Sequence, residues 1–411
     1  MQRVIHASIK IVSILTVLFT AHSCLKSDES GLPPAVVEVI SQTGHNRVEL
    51  TKTIGQFIDS NDSLFLKSSY FLIANIAHQY AADYVVKNSQ DQIIPFDPKA
   101  FDSFESMDKW WKAQKKSGIG YDIKKFTLDK DTITADLLIA TIKQAISSRS
   151  YPWSESYSDE DFYRYILPYR FGNEPIHDWR TPILQDFSWI FDSLQNNQEP
   201  EKIMQLVNDY VDEIYLFDKR YLRSPQVQTY AEIKNSRRGN QLDIAHLKAA
   251  VMRTFGIPAT IDYVPYLADS IYGFHFAVAQ NKRGSFVPLL PQSEKTIFKS
   301  KKIPKVYRRI YHSLDSSLFA LKNLSLKTPP YLGHYHYLDV SEQYLDADDL
   351  SLKPKSKDTL FYIGVFNDNK WRAVDWAISK NSLVTFHALG QGINYQLLEM
   401  KNDTLVSTFV E

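Results

Sequence analysis

The chain has little cysteine, no excess of charge of either sign and no series of long apolar runs. Its one cysteine among 411 residues, Cys24, excludes an internal disulfide. The 47 basic side chains match 47 acidic ones, so charge gives no reason to expect a nucleic-acid partner. The lack of several long apolar runs excludes a polytopic membrane protein, and 44% hydrophobic residues are too many for disorder. We therefore expect a folded protein of two or three domains.

The first 24 residues have the layout of an export signal. Arg3 lies near the start, the apolar run Ile11–Thr20 follows, and small residues precede Cys24. Because this run is too short to cross a bilayer, residues 1–23 are predicted to be a signal peptide that is removed. Cys24 directly follows Ser23, which resembles the lipobox of bacterial lipoproteins, where the thiol receives a lipid and becomes the new N-terminus. An ordinary signal peptide that contains a cysteine is the alternative.

A lipid on Cys24 decides the predicted location. Each buried methylene of an acyl chain contributes about 0.8 kcal/mol to membrane attachment, so more than one chain anchors a protein stably. The polar stretch Leu25–Ser30 resembles the export signals of surface lipoproteins in the Bacteroides group. We therefore predict an outer-membrane lipoprotein of the cell envelope, periplasmic or surface-exposed, with the membrane as its partner through the lipid. The mature chain then has no free thiol.

Hydrophobic spacing and turn residues predict an α+β fold. Apolar residues recur every three or four positions from 50 to 150, which indicates helices, including 81–85. A later helix, Gln241–Phe255, is followed by strands, which predicts a helix packed on an antiparallel sheet. Short strand-like segments near the C-terminus favour a β-sandwich. The predicted domains are a signal peptide (1–23), a linker (24–40), a helical N-terminal region (41–155), a core (156–310) and a C-terminal β-sandwich (311–411).

The segment 167–180 breaks the helical periodicity and concentrates charged and aromatic side chains in a loop. The side chains that are candidate ligand contacts are Arg170, Glu174, Asp178, Trp179 and Arg180. Loops of this composition often line clefts, which favours binding. Arginine–carboxylate pairs that only brace the loop are an equal alternative.

Three stretches that follow this loop form a pattern. They are Gly-Asn-Gln-Leu-Asp-Ile-Ala at 239–245, Val-Met-Arg-Thr-Phe-Gly-Ile-Pro-Ala at 251–259 and Gly-Phe-His at 273–275. The pattern resembles the transglutaminase-like superfamily over about residues 160–295, and especially lipoproteins of the Bacteroides group in which a loop like 168–180 precedes the core. The resemblance implies a papain/transglutaminase-like core.

The resemblance also implies where a catalytic triad would lie. In that superfamily a cysteine at the helix N-terminus is the nucleophile, a histidine on the facing strand stabilises its thiolate, and an aspartate orients the histidine. The matching positions here are Gln241, His275 and Leu290. A carboxamide has no proton to lose near neutral pH and is a very poor nucleophile. The resemblance therefore implies a pseudoenzyme without thiol chemistry, and we expect no cofactor.

Three functional hypotheses follow. The leading one is a non-catalytic binding or scaffold module for a peptide or glycan, whose cleft includes Gln241, Asp243, His275 and the loop 170–180. The rival is a hydrolase that uses His275 with activated water or with a carboxylate, Asp243 or Glu174. The third is a purely structural role, which is favoured if the loop is buried with its charges paired internally.

Two weaker candidates complete the set. Ser236 would have to reach His275 to replace the missing nucleophile, and its position before the helix argues against this. His334 and His336 would place two imidazoles on one strand face close to Asp339, which is a pattern for a metal site. Because that face offers no obvious third ligand, we predict no metal.

Overall fold

The computed structural model describes residues 31–194, 198–271, 273–321 and 328–410. The predicted signal peptide and Cys24 lie outside these residues. The chain divides into two compact units, one made of the residues up to 79 with 128–140 and one made of 80–127 with the residues from 141 onward. Within the described residues, no helix combines the length and the apolar character that a bilayer crossing requires.

Helices and antiparallel sheets occur together, which confirms the α+β class. The helices are α1 Pro34–Gln42, α2 Arg47–Gly55, α3 Ser63–Ala74, α4 Phe104–Gln114, α5 Ala135–Ser148, α6 Asp159–Asp161, α7 Arg180–Asp186, α8 Trp189–Leu194, α9 Pro200–Ile214, α10 Tyr230–Ser236, α11 Gln241–Thr254, α12 Ile297–Ser300 and α13 Leu318–Leu321. The strands are β1 Tyr80–Lys87, β2 Ile93–Ile94, β3 Gly120–Leu128, β4 Leu216–Phe217, β5 Arg238–Gly239, β6 Ala259–Val264, β7 Phe274–Gln280, β8 Phe286–Pro288, β9 Tyr307–Arg309, β10 Tyr337–Asp339, β11 Ala347–Leu352, β12 Leu360–Asn367, β13 Lys370–Ile378, β14 Val384–Gly390, β15 Gln396–Lys401 and β16 Thr404–Ser407.

The smaller unit contains α1 to α3 and the start of α5, and its helix ends are satisfied by side chains. Asp62 caps α3 by accepting the backbone N–H of Leu64 at 2.8 Å. The Glu49 carboxylate accepts the N–H of Ala135 at 2.6 Å, so it satisfies one of the free donors in the first turn of α5. The residues that form the buried apolar interior are Val36, Val39, Ile40, Leu50, Ile54, Phe57, Leu72, Ile73 and Ile76.

The helical N-terminal region contains a sheet, so the helix predicted at 81–85 is wrong. Residues 80–87 and 120–128 are strands, and β1 lies between β2 and β3 in one sheet. Because β3 lies far along the chain from β1, the spacing of apolar residues within 80–87 cannot reveal that the two strands are neighbours in a sheet. Next to this sheet lies a cluster of half-buried rings whose centroids are 5.1 to 6.1 Å apart. Its members are Phe96, Phe101, Trp110, Trp111 and Tyr121.

The centre of the larger unit is α11 packed on a five-stranded antiparallel sheet of order β10-β9-β6-β7-β8. This arrangement confirms the predicted helix on an antiparallel sheet. Because strand residues alternate between faces, Ile261 and Ala277 join the apolar cluster around α11, while Phe276 and Val278 join a second cluster on the opposite face. The helix α9 adds to the first cluster through residues such as Val207.

The C-terminal residues form short strands, as predicted. One sheet has the order β13-β12-β15-β16, and a second pairs β11 with β14. The two sheets contribute to one apolar cluster, whose buried members are Phe361, Ile363, Val365, Val374, Val384, Phe386, Leu389 and Leu397. Sharing one core between two antiparallel sheets is the arrangement of a β-sandwich.

The C-terminal end of α11 is closed by a Schellman turn at Gly256. The N–H of Ile257 donates to the carbonyl of Met252 at 2.9 Å, and the N–H of Gly256 donates to that of Arg253 at 3.2 Å. Gly256 has a φ of +72°, and a Cβ there would lie 2.5 Å from the carbonyl oxygen of Ser148. The turn therefore requires glycine for its backbone angle and for space.

Replacing Gly256 by alanine should lower the free energy of unfolding by more than the same change at Gly284. Both glycines have positive φ, which costs about 1–3 kcal/mol in a residue with a Cβ. A Cβ at Gly284 meets nothing within 4 Å, so that variant measures the backbone strain alone. Urea denaturation of both variants provides the comparison. Equal losses of stability would show that the close contact with Ser148 adds nothing to the cost of the substitution.

Candidate functional site

The start of α11 is held by a reciprocal capping box. The Asn240 side chain accepts the N–H of Asp243 at 3.0 Å, and the Asp243 carboxylate accepts the N–H of Asn240 at 2.9 Å. Asp243 also accepts the backbone N–H of Gln228 at 2.8 Å. A Cβ at position 239 would lie 2.7 Å from the Cβ of Asp243, so Gly239 lets the chain pass close to this carboxylate. These contacts place Gln241, which is half-buried, in the first turn of the helix.

Burial is the main influence on the Asp243 carboxyl. It raises the pKa of this group, although hydrogen bonds from Gln228 and Asn240 act in the opposite direction. Its hydrogen-bond partners are Gln228 and Asn240, which lie beside the helix start. Asp243, which the sequence suggests as a binding residue or a carboxylate partner of His275, therefore holds the helix start.

His275 lies on β7 directly opposite Tyr263 of β6. The two rings stack with centroids 5.6 Å apart, and the Tyr331 ring lies 6.3 Å away on a separate segment. Burial, with a smaller contribution from the positive charge of Arg309, lowers the pKa of His275 to about 3. The imidazole is therefore neutral near pH 7. Among the described residues, no carboxylate forms a hydrogen bond with the His275 ring, and neither does the Gln241 side chain.

Leu290 occupies the third position that the resemblance implies. It is buried on the sheet face opposite α11, in the cluster that includes Phe274 and Val278. An apolar side chain in an apolar cluster cannot orient an imidazole. Ser236, considered as a replacement nucleophile, donates its hydroxyl to the carbonyl of Arg238 at 2.8 Å and contacts Gln228, and no hydrogen bond joins it to His275 within the described chain.

The loop 167–180 is folded around the Glu174 carboxylate. The backbone N–H groups of Phe171 and Gly172 donate to it at 2.8 and 2.7 Å. The Arg170 guanidinium donates to the Glu174 carbonyl and lies 3.9 Å from the carboxylate, and His246 Nε2 lies 3.8 Å from it on the other side. Burial opposes ionisation, but His246, Arg170 and the backbone donors outweigh it and lower the pKa of Glu174 to about 2.

Arg180 is buried and pairs with backbone carbonyls. It donates to the carbonyls of Ile166, Leu167 and Pro168, at the C-terminal end of the helical stretch 159–166 that begins with α6. It also donates to the carbonyl of Arg253. A cation at a helix C-terminus is stabilised by the helix dipole and by the carbonyls that have no intrahelical partner. Burial nevertheless lowers the pKa of Arg180 to about 9, so the guanidinium remains charged near pH 7.

The remaining two loop residues differ in exposure. Trp179 is buried, and its Nε1–H donates to the carbonyl of Tyr169 at 2.6 Å. Asp178 is exposed and accepts the N–H of Thr181 at 3.1 Å at the start of α7. Four of the five loop residues proposed as ligand contacts are thus buried with partners inside the protein. This geometry matches the alternative in which charged pairs brace the loop.

The histidines at 334 and 336 do not form a metal site with Asp339. The backbone N–H of His336 donates to His334 Nδ1 at 3.2 Å, which occupies that ring nitrogen. Asp339 forms an ion pair with the buried ammonium of Lys305. Within the part of the chain that the structure describes, no group of three or more His, Cys, Asp or Glu side chains is arranged to hold a metal ion.

Sequence reasoning missed Arg309, which lies at the end of β9 close to His275. The signal was the Arg308-Arg309 pair on a strand, since consecutive strand residues point to opposite faces and the two arginines need different partners. Arg308 forms a bidentate pair with Asp262, with both N···O distances 2.8 Å. Arg309 lies on the other face and contributes positive charge near His275.

Comparisons with known proteins identify no relative of this chain. No protein-family model, no curated protein and no solved structure matches the chain. The resemblance to the transglutaminase-like superfamily therefore stays a prediction. The described side chains supply a neutral imidazole, tyrosine rings and a guanidinium at this end of the sheet.

Replacing Glu174 by glutamine should remove a pH-dependent contribution to stability. Because the folded-state pKa of about 2 lies below the ordinary 4.5, the carboxylate stabilises the fold above pH 4.5 and loses this effect as the pH falls toward 2. At pH 7 His246 is neutral, since burial lowers its pKa to about 4, so the loss comes from the contacts with Arg170 and the backbone donors and should be about 1–3 kcal/mol. Urea denaturation at a series of pH values measures it, and the variant should show a flatter dependence between pH 4.5 and 2.

The matched control is Glu160→Gln. Glu160 lies at the surface, where it pairs with Arg164 at 2.9 Å. An exposed pair of this kind contributes about 0–1 kcal/mol, so this control should unfold almost as the unaltered protein does. If both variants lost the same stability, the buried contacts of Glu174 would have no special importance.

Proposed function

We propose that this chain is a non-catalytic binding or scaffold protein of the cell envelope, anchored by a lipid on Cys24 and specific for a peptide or glycan. In this proposal the residues from about 160 to 295 form a degenerate transglutaminase-like core. The observation that carries it is the state of the three positions where a triad would lie: Gln241 in the first turn of α11, the neutral His275 on β7, and Leu290 in an apolar cluster.

The state of His275 argues against general-base catalysis. A general base is most effective when its pKa lies near the working pH, because it must be both unprotonated and basic. With a pKa of about 3, His275 is unprotonated at pH 7 but only weakly basic. No described carboxylate forms a hydrogen bond that would raise its basicity. A water molecule next to this imidazole would therefore gain little nucleophilic character.

The two carboxylates of the hydrolase hypothesis have other partners. Asp243 accepts N–H groups of Asn240 and Gln228 at the start of α11. Glu174 accepts two backbone N–H groups and lies beside Arg170. Moving either carboxylate away would leave its buried N–H donors without an acceptor, at a cost of roughly 1–3 kcal/mol for each donor. Neither group is thus free to act with His275.

The buried, internally paired loop 167–180 meets the condition that favours a structural role for that loop. The neighbourhood of His275 lies outside the loop and fits a binding role better. Tyr331 faces His275 and has a φ of +68°, a backbone angle that non-glycine residues seldom adopt. Such angles concentrate at ligand sites and cost about 1–3 kcal/mol each. His275 and Tyr331 are also half-buried rather than fully enclosed.

His275→Ala should weaken binding without removing any turnover. The probe is a mixture of muropeptides, which carry both peptide and glycan, and binding is measured by calorimetry with the full chain. We expect no product by mass spectrometry for either protein and at least several-fold weaker binding for the variant, because a ring that lines the site is lost. His387→Ala, at an exposed histidine on β14, is the control and should bind as the unaltered protein does.

Other outcomes would contradict the proposal. Product formed by the unaltered protein and lost in His275→Ala would establish a hydrolase. Failure of the unaltered protein to bind muropeptides, or equal binding by His275→Ala, would exclude a peptide or glycan site at this histidine.

A further inference from the structure

Arg309 is a half-buried arginine whose guanidinium forms a single hydrogen bond within the described part of the chain. Its Nη1–H donates to the carbonyl of Phe171 at 3.1 Å. A guanidinium carries five N–H donors, so four remain without a described acceptor. No described carboxylate lies within 4 Å of it, in contrast to Arg308, whose charge is paired with Asp262. A partly desolvated cation without a counterion is costly, because charges are stabilised in proteins by paired opposite charges.

The nearest acid does not neutralise this charge. A Cβ at Gly172 would lie 2.5 Å from Arg309 Nη1 and 3.3 Å from Glu174 Oε2, so glycine at 172 is what allows the guanidinium to approach the loop. The Glu174 carboxylate is already surrounded by Arg170 and two backbone N–H groups. Its negative charge is therefore shared with another arginine, and it forms no ion pair with Arg309.

Rings of histidine and tyrosine lie beside Arg309 in the sheet. Arg309 is directly opposite Tyr337 of β10, whose ring centroid lies 5.1 Å from that of His334. The charge of Arg309 acts on two histidines from different segments, and for both of them burial comes first and Arg309 second in lowering the pKa to about 3. These histidines are His275 on β7 and His334, just before β10. Arg309 also acts on the hydroxyl groups of Tyr263 and Tyr331 and, more weakly, on the buried His246. Arg372, which pairs with Asp368 at 3.5 Å, is a second cation that acts on Tyr331.

This arrangement suits a negatively charged ligand. A guanidinium binds carboxylate and phosphate oxygens through two parallel hydrogen bonds, and a neutral imidazole can donate a further one. The half-buried Tyr331 ring offers a flat surface for the rest of a small ligand. His275, Arg309 and His334 come from three segments that only the sheet brings together.

We propose that Arg309, flanked by His275 and His334, binds the carboxylate or phosphate oxygens of a small ligand. The inference rests on the proposed binding function only in taking His275 as part of a ligand site. It adds the chemical class of the ligand, an oxyanion, and names the side chain that recognises it.

The test uses nuclear magnetic resonance of the full chain with labelled histidine rings, at constant ionic strength. Sodium acetate and sodium phosphate are titrated in separate arms, with chloride as the balancing anion. A bound anion favours the protonated imidazole, so the ring signals of His275 and His334 should shift and their titration midpoints should move toward neutral pH. A response to acetate alone identifies a carboxylate site, and a response to phosphate alone a phosphate site.

Variants then connect this response to Arg309. Arg309→Gln should weaken anion binding about tenfold or more, because a charge-assisted hydrogen bond is lost. Arg309→Lys keeps the charge without the two-pronged geometry and should retain a weaker response. Arg283→Gln, in an exposed turn, is the control and should respond as the unaltered protein does.

Two results would overturn the inference. One is the absence of any shift of His275 and His334 with either anion in the unaltered protein. The other is a response of Arg309→Gln equal to that of the unaltered protein. If the glutamine variant does not fold, a response of Arg309→Lys equal to that of the unaltered protein overturns the inference instead. Neither result depends on muropeptide binding, so each can be separated from a failure of the proposed function.

Discussion

The buried guanidinium of Arg253 joins the three parts on which the centre of the larger unit depends. It extends from the last turn of α11 and donates to the carbonyl of Ala259 at the start of β6. It also donates to the carbonyls of Pro168 and Arg170 in the loop and lies 3.8 Å from the Phe171 ring centroid. Helix, sheet and loop therefore share one donor group. Removing it would leave several buried carbonyls without a partner, and each would cost about 1–3 kcal/mol.

A related principle explains why three of the charged side chains of the loop 167–180 are not available to a ligand. Polar groups inside a protein are tolerated only when they are hydrogen-bonded. Arg170, Glu174 and the two terminal nitrogens of Arg180 meet this condition mainly through backbone groups of the loop itself and of the helix that ends before it. Opening the loop would break these contacts together. Charged side chains of the kind that often line a cleft here hold the loop in place through internal hydrogen bonds.

What remains for function is the end of the sheet at His275. The geometry there combines a neutral imidazole, a tyrosine with a positive φ and an arginine to which the described residues supply no counterion, from strands and loops that meet only in the fold. In the proposal these groups hold a ligand, and the low pKa of the imidazole makes it a weak general base. The membrane anchor on Cys24, where the proposal places it, would keep this site in the envelope.

The sequence alone determined the elements whose signals are local. The helical spacing of Gln241–Phe255 and the short strand-like segments near the C-terminus predict α11 and the C-terminal strands, because those signals act within a few residues. Gln241, His275 and Leu290 could likewise be named as a possible site before any fold was known. Only the tertiary structure decided that β1 pairs with β3, that the loop charges are buried, and that Arg309 faces His275 while Arg308 faces Asp262. Each of these depends on contacts between distant segments, and neither periodicity nor composition records which segments meet.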